Sequence, residues 1–356
     1  MHKRLLIPGP TEVKSDVLQQ QAKPLIGHRP KEFTELYTGI IDKLQKFHKT
    51  KQWVTVPTAS GTLFMDMTAR SLVKEKALCC VNGAFSKRCA DTIKACGKEI
   101  EKIEIEWGKA VKPEMILEKL DSGNFDTLAL CHNETSTGVR NPIYEIGKAV
   151  KKEHPDIMYV IDSVSAMGGD KVIPEEIQCD LIYASTQKAY ALPPGLAIGF
   201  VSDAALKRCE EVPNRGNYTD IKGLYDYYMK KQQTPSTPNV SLMYALSYQL
   251  DKMLEETSEG RHKRHEEMAK WTQGWAKKHF EMFPEPGYES ITVSTIKNTQ
   301  GKSVADLNKE LAKRDYMISN GYGDLKEKTF RIGHMGEWTT DDIKDVCGHI
   351  EEIWEL

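Results

Sequence analysis

Read for the order of its apolar and polar positions, the chain alternates between short, continuously apolar runs and longer amphipathic ones. Apolar runs fall near 53–56, 77–81, 127–131, 158–162, 181–184 and 196–201. Each has the length of a strand and is apolar on both faces, as strands inside a covered parallel sheet are. The stretches between several of them repeat apolar residues at helical spacing and predict helices near 32–50, 63–73, 85–97, 113–120 and 143–153. Strands alternating with helices predict an α/β fold, with a mainly parallel sheet between helices in a large domain. A long helix over 240–257 follows a polar, tyrosine-rich stretch and the proline-interrupted Gln233-Thr-Pro-Ser-Thr-Pro-Asn239, a composition typical of a linker.

Beyond that helix the pattern changes. A charged helix (261–280), a strand (290–296), a helix (304–314), strands near Met317 and Phe330, and a last helix (340–354) read as a smaller α+β domain. The expected division is 20–255 for the large domain. The small C-terminal domain takes 256–356, joined by 1–19 folding back onto it. A chain of 356 residues has room for one domain of roughly 200 residues and a smaller one.

Composition mainly excludes. The net charge of −2 gives no electrostatic case for nucleic acid or an anionic membrane surface. No apolar run approaches the roughly 18–20 residues of a membrane span. The basic start loses its apolar run at Pro8, too early for a secretory signal, so the cytoplasm is expected. The eight cysteines form no CxxC pair and no framework spacing, so neither a metal site nor disulfides are expected. No GxGxxG follows a strand, and no Gly-Lys-Ser/Thr marks a P-loop.

Candidate chemistry gathers at strand ends, where open α/β sheets bind ligands. Lys188 follows the 181–184 strand and precedes a turn-rich piece leading into the next one. It is either a solvated loop lysine or a poorly solvated amine whose lowered pKa suits Schiff-base chemistry. Asp162 ends the preceding strand, as a helix cap, a loop residue or a functional acid. A lysine and an acid placed in this way are the two groups that pyridoxal 5'-phosphate asks of a protein.

Val160-Ile-Asp-Ser-Val-Ser-Ala-Met-Gly-Gly169 and Ser185-Thr-Gln-Lys-Ala-Tyr-Ala-Leu-Pro-Pro-Gly195 resemble the cofactor signature of class V, fold-type I pyridoxal phosphate enzymes. Within that class the chain is most similar to the alanine–glyoxylate and serine–pyruvate aminotransferase branch. The resemblance runs from Pro8-Gly-Pro10 to Arg331-Ile-Gly333. It implies a transaminase acting on small amino acids and 2-oxo acids, with alanine or serine as donor and glyoxylate or pyruvate as acceptor. It also implies a homodimer with shared active sites.

The resemblance gives the other candidates their roles. Ser60, Gly61 and Thr62 sit before a predicted helix, where they are either a plain N-cap or a phosphate site. The resemblance assigns them to the cofactor phosphate, with Gln187 as a further donor. Phe85 packs in the core or, by resemblance, stacks on the cofactor ring. Thr135, in the polar loop His132-Asn-Glu-Thr-Ser-Thr-Gly-Val-Arg-Asn-Pro142, would meet the ring hydroxyl. Thr237, or failing it Thr234, would reach the neighbouring subunit's phosphate.

Pro-Gly-Pro at 8–10 brings bare backbone close to something, and the resemblance makes Gly9 part of the substrate pocket. Arg331 lies on an apolar strand and needs an anion, either an internal acid or, by resemblance, the substrate α-carboxylate. The rival readings are a 2-aminoethylphosphonate or phosphoserine aminotransferase, with Arg29, Arg140 and Arg215 as candidate anion binders, and a cofactor-free scaffold of the same fold. A cysteine desulfurase would need a mobile late cysteine, whereas Cys347 falls in the last predicted helix.

Overall fold

The computed structural model describes residues 2–356. In chain order its strands are β1 (Arg4–Leu6), β2 (Trp53–Thr55), β3 (Lys76–Val81), β4 (Glu99–Glu104) and β5 (Thr127–Cys131). The short β6 (Asn133–Glu134) and β7 (Val139–Arg140) follow, then β8 (Met158–Asp162), β9 (Leu181–Ser185) and β10 (Ala197–Val201). The last are β11 (Glu281–Met282), β12 (Val293–Lys297), β13 (Tyr316–Asn320) and β14 (Thr329–Gly333).

Seven strands form the large sheet in the order β2-β10-β9-β8-β5-β3-β4. From β9 to β4 every pairing is parallel, while β10 runs antiparallel to both its neighbours. Side chains alternate along each strand, so the two halves of the core separate cleanly. Leu128, Leu130, Tyr159, Ile161 and Ile182 pack on one face with helices Lys31–Phe47, Ile143–Glu153 and Val240–Glu256. Ala129, Val160, Leu181 and Tyr183 pack on the other with Thr62–Met67 and Ala84–Ala95. This is the α/β fold-type I architecture, a large mixed sheet domain with a smaller one added.

The second sheet has the order β1-β13-β14-β12-β11. Helices Ser258–His279, Val304–Lys313 and Thr340–Trp354 share its core. The amino-terminal β1 pairs in parallel with β13, Leu5 opposite Met317. That pairing carries Pro8 and Gly9 toward the carboxyl ends of β8 and β9.

Three local features depart from the sequence expectation. Glu-Ile-Glu-Lys-Ile-Glu forms β4 at the sheet's outer edge, where charged side chains guard exposed backbone and mask the apolar pattern. The polar stretch after 211 holds the helix Ile221–Lys231, whose Tyr225 ring lies 5.3 Å from Trp53 and covers the opposite edge at β2. The helix beginning at Thr62 changes after Met67 to a wider π turn, Thr68–Leu72. No helix among the described residues is long and apolar enough to cross a membrane.

Candidate active site

β9 ends at Ser185, and the chain turns back through Lys188 before β10. The turn is tied by Ala191 N–H donating to the Lys188 carbonyl (2.8 Å) and Leu192 N–H to the Thr186 carbonyl (3.1 Å). Ala191 takes a left-handed backbone, φ +55°, which a non-glycine residue adopts only under surrounding constraint. Arg261 supplies part of that constraint, its Nη2 donating to the Ala189 carbonyl at 2.8 Å. Lys188 Nζ donates to the carbonyl of Pro8. A Cβ on Gly9 would stand 2.4 Å from Lys188 Cδ, and Gly9 itself has φ +95°, so only glycine lets the amino-terminal turn close on this lysine. Burial lowers the Lys188 amine to about 8, and the Arg331 charge acts in the same direction.

Asp162 closes β8, opposite Cys131 on one side and Tyr183 on the other. Its Oδ1 accepts from the Val164 N–H at 2.9 Å. Burial raises its carboxyl to about 6, against the pull of that N–H and of Lys188. Asp162 and Lys188 line one cavity of about 610 Å³, part of it open to solvent. That is the size range of small-ligand pockets.

Ser60, Gly61, Thr62, Phe85, Thr135 and Gln187 line the same cavity. No side chain caps the helix that starts at Thr62, so its amino end still has N–H groups to offer. Gly61 is required by close approach, because a Cβ there would meet Val164 Cγ2 at 2.5 Å. Ser185 Oγ accepts from the Gly61 N–H (3.3 Å) and donates to Gln187 Oε1, an arrangement that leaves the Gln187 amide hydrogens to donate elsewhere. Thr135 Oγ1 donates to Ser165 Oγ at 2.7 Å.

Phe85 is positioned by Glu134, which is fully buried. Its carboxylate accepts from Phe85 N–H (3.1 Å), Ser86 N–H (2.8 Å) and the Ser136 hydroxyl (2.6 Å) at the start of helix Ala84–Ala95. Glu134 is thus a buried cap at a helix amino end, where a negative charge is favoured. His132 is also structural, 3.2 Å from Asp170 in a buried pair.

Arg331 stands on β14, 8% exposed. Its Nε donates to the Asn320 carbonyl and its Nη1 to the Thr135 carbonyl, each at 3.1 Å. Burial brings the guanidinium down to about 10, still charged at neutral pH. The sequence left an internal acid open as its partner; its direct contacts are carbonyls and the Tyr322 ring, and the buried Glu134 acts on it only through its charge.

Thr237 is not brought to its own chain's cavity. It is exposed, 3.4 Å from His28 Nε2, and lines a different recess with Tyr37, Thr58 and Tyr218. Thr234 lines that recess too. Arg29, Arg140 and Arg215 are all engaged elsewhere, with the Thr234 carbonyl (2.7 Å), Asp170 (2.6 Å) and Asp220 (2.7 Å). Cys347 is fully buried, and its thiol is pushed well up by that burial.

Six lining residues were not candidates from the sequence: Met65, Arg88, Cys131, Asn133, Val164 and Ser165. Val164 and Ser165 lie inside the motif that carries Asp162, and Asn133 opens the polar loop, so proximity to those stretches was an available signal. Arg88 stands three positions after Phe85, on the same side of its helix. Asn133 Oδ1 is buried and unpartnered among the described residues.

A softened lysine, a buried acid, an uncapped helix end with hydroxyls, and an aromatic ring fit pyridoxal phosphate as a group. The profile of the aminotransferase class-V family matches residues 15–323. An uncharacterized aminotransferase of Methanocaldococcus jannaschii is 40% identical, over 99% of this chain and 91% of its own. A serine–glyoxylate aminotransferase of Methylorubrum extorquens is 30% identical, over 94% of this chain and 86% of its own. Among solved structures, an aspartate aminotransferase of subgroup IV from Thermus thermophilus aligns with a TM-score of 0.90 at 26% identity, covering 99% of both chains.

Proposed function

This chain belongs to the class-V aminotransferases, and from that premise we propose that it moves the amino group of alanine or serine to a small 2-oxo acid such as glyoxylate or pyruvate. Amino transfer between small amino acids and 2-oxo acids, with pyridoxal phosphate as cofactor, comes with the membership. The observation that carries the reading to this chain's own residues is the meeting of Lys188 and Asp162 in one cavity.

Lys188 would hold the cofactor through Nζ, with Ser60, Gly61, Thr62 and Gln187 around its phosphate. Phe85 would cover the ring, and Thr135 would meet the ring hydroxyl. Bound there, the cofactor supplies a conjugated ring that takes up the electron pair left when the amino acid loses its Cα proton. The Asp162 carboxylate would keep a proton on the ring nitrogen. With its amine free, Lys188 Nζ would take the proton from the substrate Cα and deliver it to the carbon that carried the cofactor's aldehyde. An amine near 8 suits that double duty close to neutral pH.

Arg331 binds the α-carboxylate with its planar fork and so orients the Cα–H bond. Pro8 and Gly9 cover the lysine from above. Thr237 would complete the phosphate site of a second copy, making the active form a homodimer with shared sites.

No observation favours the phosphonate rival at Arg29, Arg140 or Arg215, which are spent on other partners. Purified protein should show a visible absorption band that bleaches with alanine or serine and returns with glyoxylate or pyruvate. A colourless protein that transfers no amino group from either donor overturns the reading.

A further inference from the structure

Lys188, Arg88 and Asp162 line one cavity, and the Arg331 charge reaches Lys188 from beside it. Glu134, whose charge also acts on Arg331, accepts from Phe85, Ser86 and Ser136 and forms no ion pair with either guanidinium among the described residues. The aminotransferase reading gives Arg331 the α-carboxylate and gives the cofactor phosphate to Ser60–Thr62. One guanidinium, Arg88, then forms no ion pair among the described residues, although its charge reaches Asp162.

Arg88 is not adrift in solvent. Its Cζ lies 4.9 Å from the centre of the Phe85 ring, and its Nη2 donates to the Tyr322 hydroxyl at 3.2 Å. Tyr322 in turn stands 5.3 Å from Phe85, ring to ring, and carries the Arg331 guanidinium 5.6 Å over its face. The two guanidiniums are thus seated on the same tyrosine, one at its hydroxyl and one at its ring. A substrate held by its α-carboxylate at Arg331 would have a second, fixed cation nearby, across Tyr322.

We propose that Arg88, seated by Tyr322, binds a second anionic group on the amino donor or 2-oxo acceptor, carboxylate or phosphate. The inference rests on the aminotransferase reading and widens its substrates from alanine and serine to amino acids with an acidic side chain. Guanidinium suits either anion, since both accept two parallel N–H bonds.

Binding tests this without amino transfer. The cofactor-loaded protein is titrated calorimetrically with propionate, with succinate and with 3-phosphonopropionate, which differ only in the second group. Succinate or the phosphonate should bind about tenfold or more tighter than propionate, the scale of one charge-assisted hydrogen bond. Whichever of the two binds tighter identifies the anion. In Arg88→Gln the ratio to propionate should collapse toward one, Arg88→Lys should retain part of it, and Tyr322→Phe should reduce it.

Equal binding of all three acids by the native protein overturns the proposal. So does a preference that survives Arg88→Gln and Tyr322→Phe. A native protein that shows the preference but transfers no amino group would sink the aminotransferase reading and leave this anion site standing.

Discussion

Replacing Arg261 by methionine should cost the protein about 3–5 kcal/mol, the range for breaking a buried ion pair from one side. Arg261 is 1% exposed and holds four partners. Nε donates to the Gly168 carbonyl in the loop after Asp162, and Nη2 to the Ala189 carbonyl beside Lys188, each at 2.8 Å. Nη1 lies 2.8 Å from both Glu256 and Glu337. Methionine fills the stem but leaves two carbonyls and a buried carboxylate short of a donor.

The Glu337 carboxylate gives an independent figure. Burial opposes its ionisation, yet Arg261 and Arg264 hold it down at about 2 against an ordinary 4.5. That drop, which Arg261 shares with Arg264 and Gln249, corresponds to about 3 kcal/mol at neutral pH and bounds the Arg261 part from above. A carboxylate lowered in the folded state adds stability that is full above the unfolded value and disappears as pH falls through the folded one. The gap between native protein and Arg261→Met should therefore be widest near pH 7 and narrow by about pH 3, where Glu337 in the variant has taken up a proton. Urea unfolding followed by tryptophan fluorescence at both pH values measures it. A gap below about 1 kcal/mol near pH 7, the scale of an exposed pair, would refute the buried-pair account. So would a gap that does not change with pH.

Three further outcomes are expected. Asp162→Asn should keep the cofactor but lose most turnover, and near-normal rates in a donor assay would return Asp162 to the role of a loop residue. Arg331→Lys keeps a charge but loses the fork, so KM for alanine should rise about tenfold or more while cofactor affinity holds; unchanged KM contradicts the carboxylate role. Thr237→Ala should weaken cofactor binding by about 1–3 kcal/mol. Refolded together with Lys188→Ala, it should exceed the mean activity of the two parents at limiting cofactor, whereas a Thr237 serving its own subunit gains nothing from mixing.

What could be read in the sequence follows from burial. β5, β8, β9 and β10 are buried at every position, so their apolar runs stood out, and with them the strand ends that carry Asp162 and Lys188. β4 was missed because an edge strand exposes one face and fills it with charge. Pro-Gly-Pro signalled a close approach of backbone, but only the pairing of β1 with β13 shows that Lys188 is what it approaches. Glu134 and Arg88 were hidden for a different reason. Each depends on a contact across the fold, to the start of helix Ala84–Ala95 and to Tyr322, that no local pattern encodes.

Lys188 is the residue on which cofactor attachment and amino transfer both depend. Borohydride reduction of the purified protein, followed by proteolysis and mass spectrometry, should place one pyridoxyl group on the peptide containing Lys188, and Lys188→Ala should lose both the label and amino transfer. A label on any other lysine, or a fully active Lys188→Ala, would contradict that dependence.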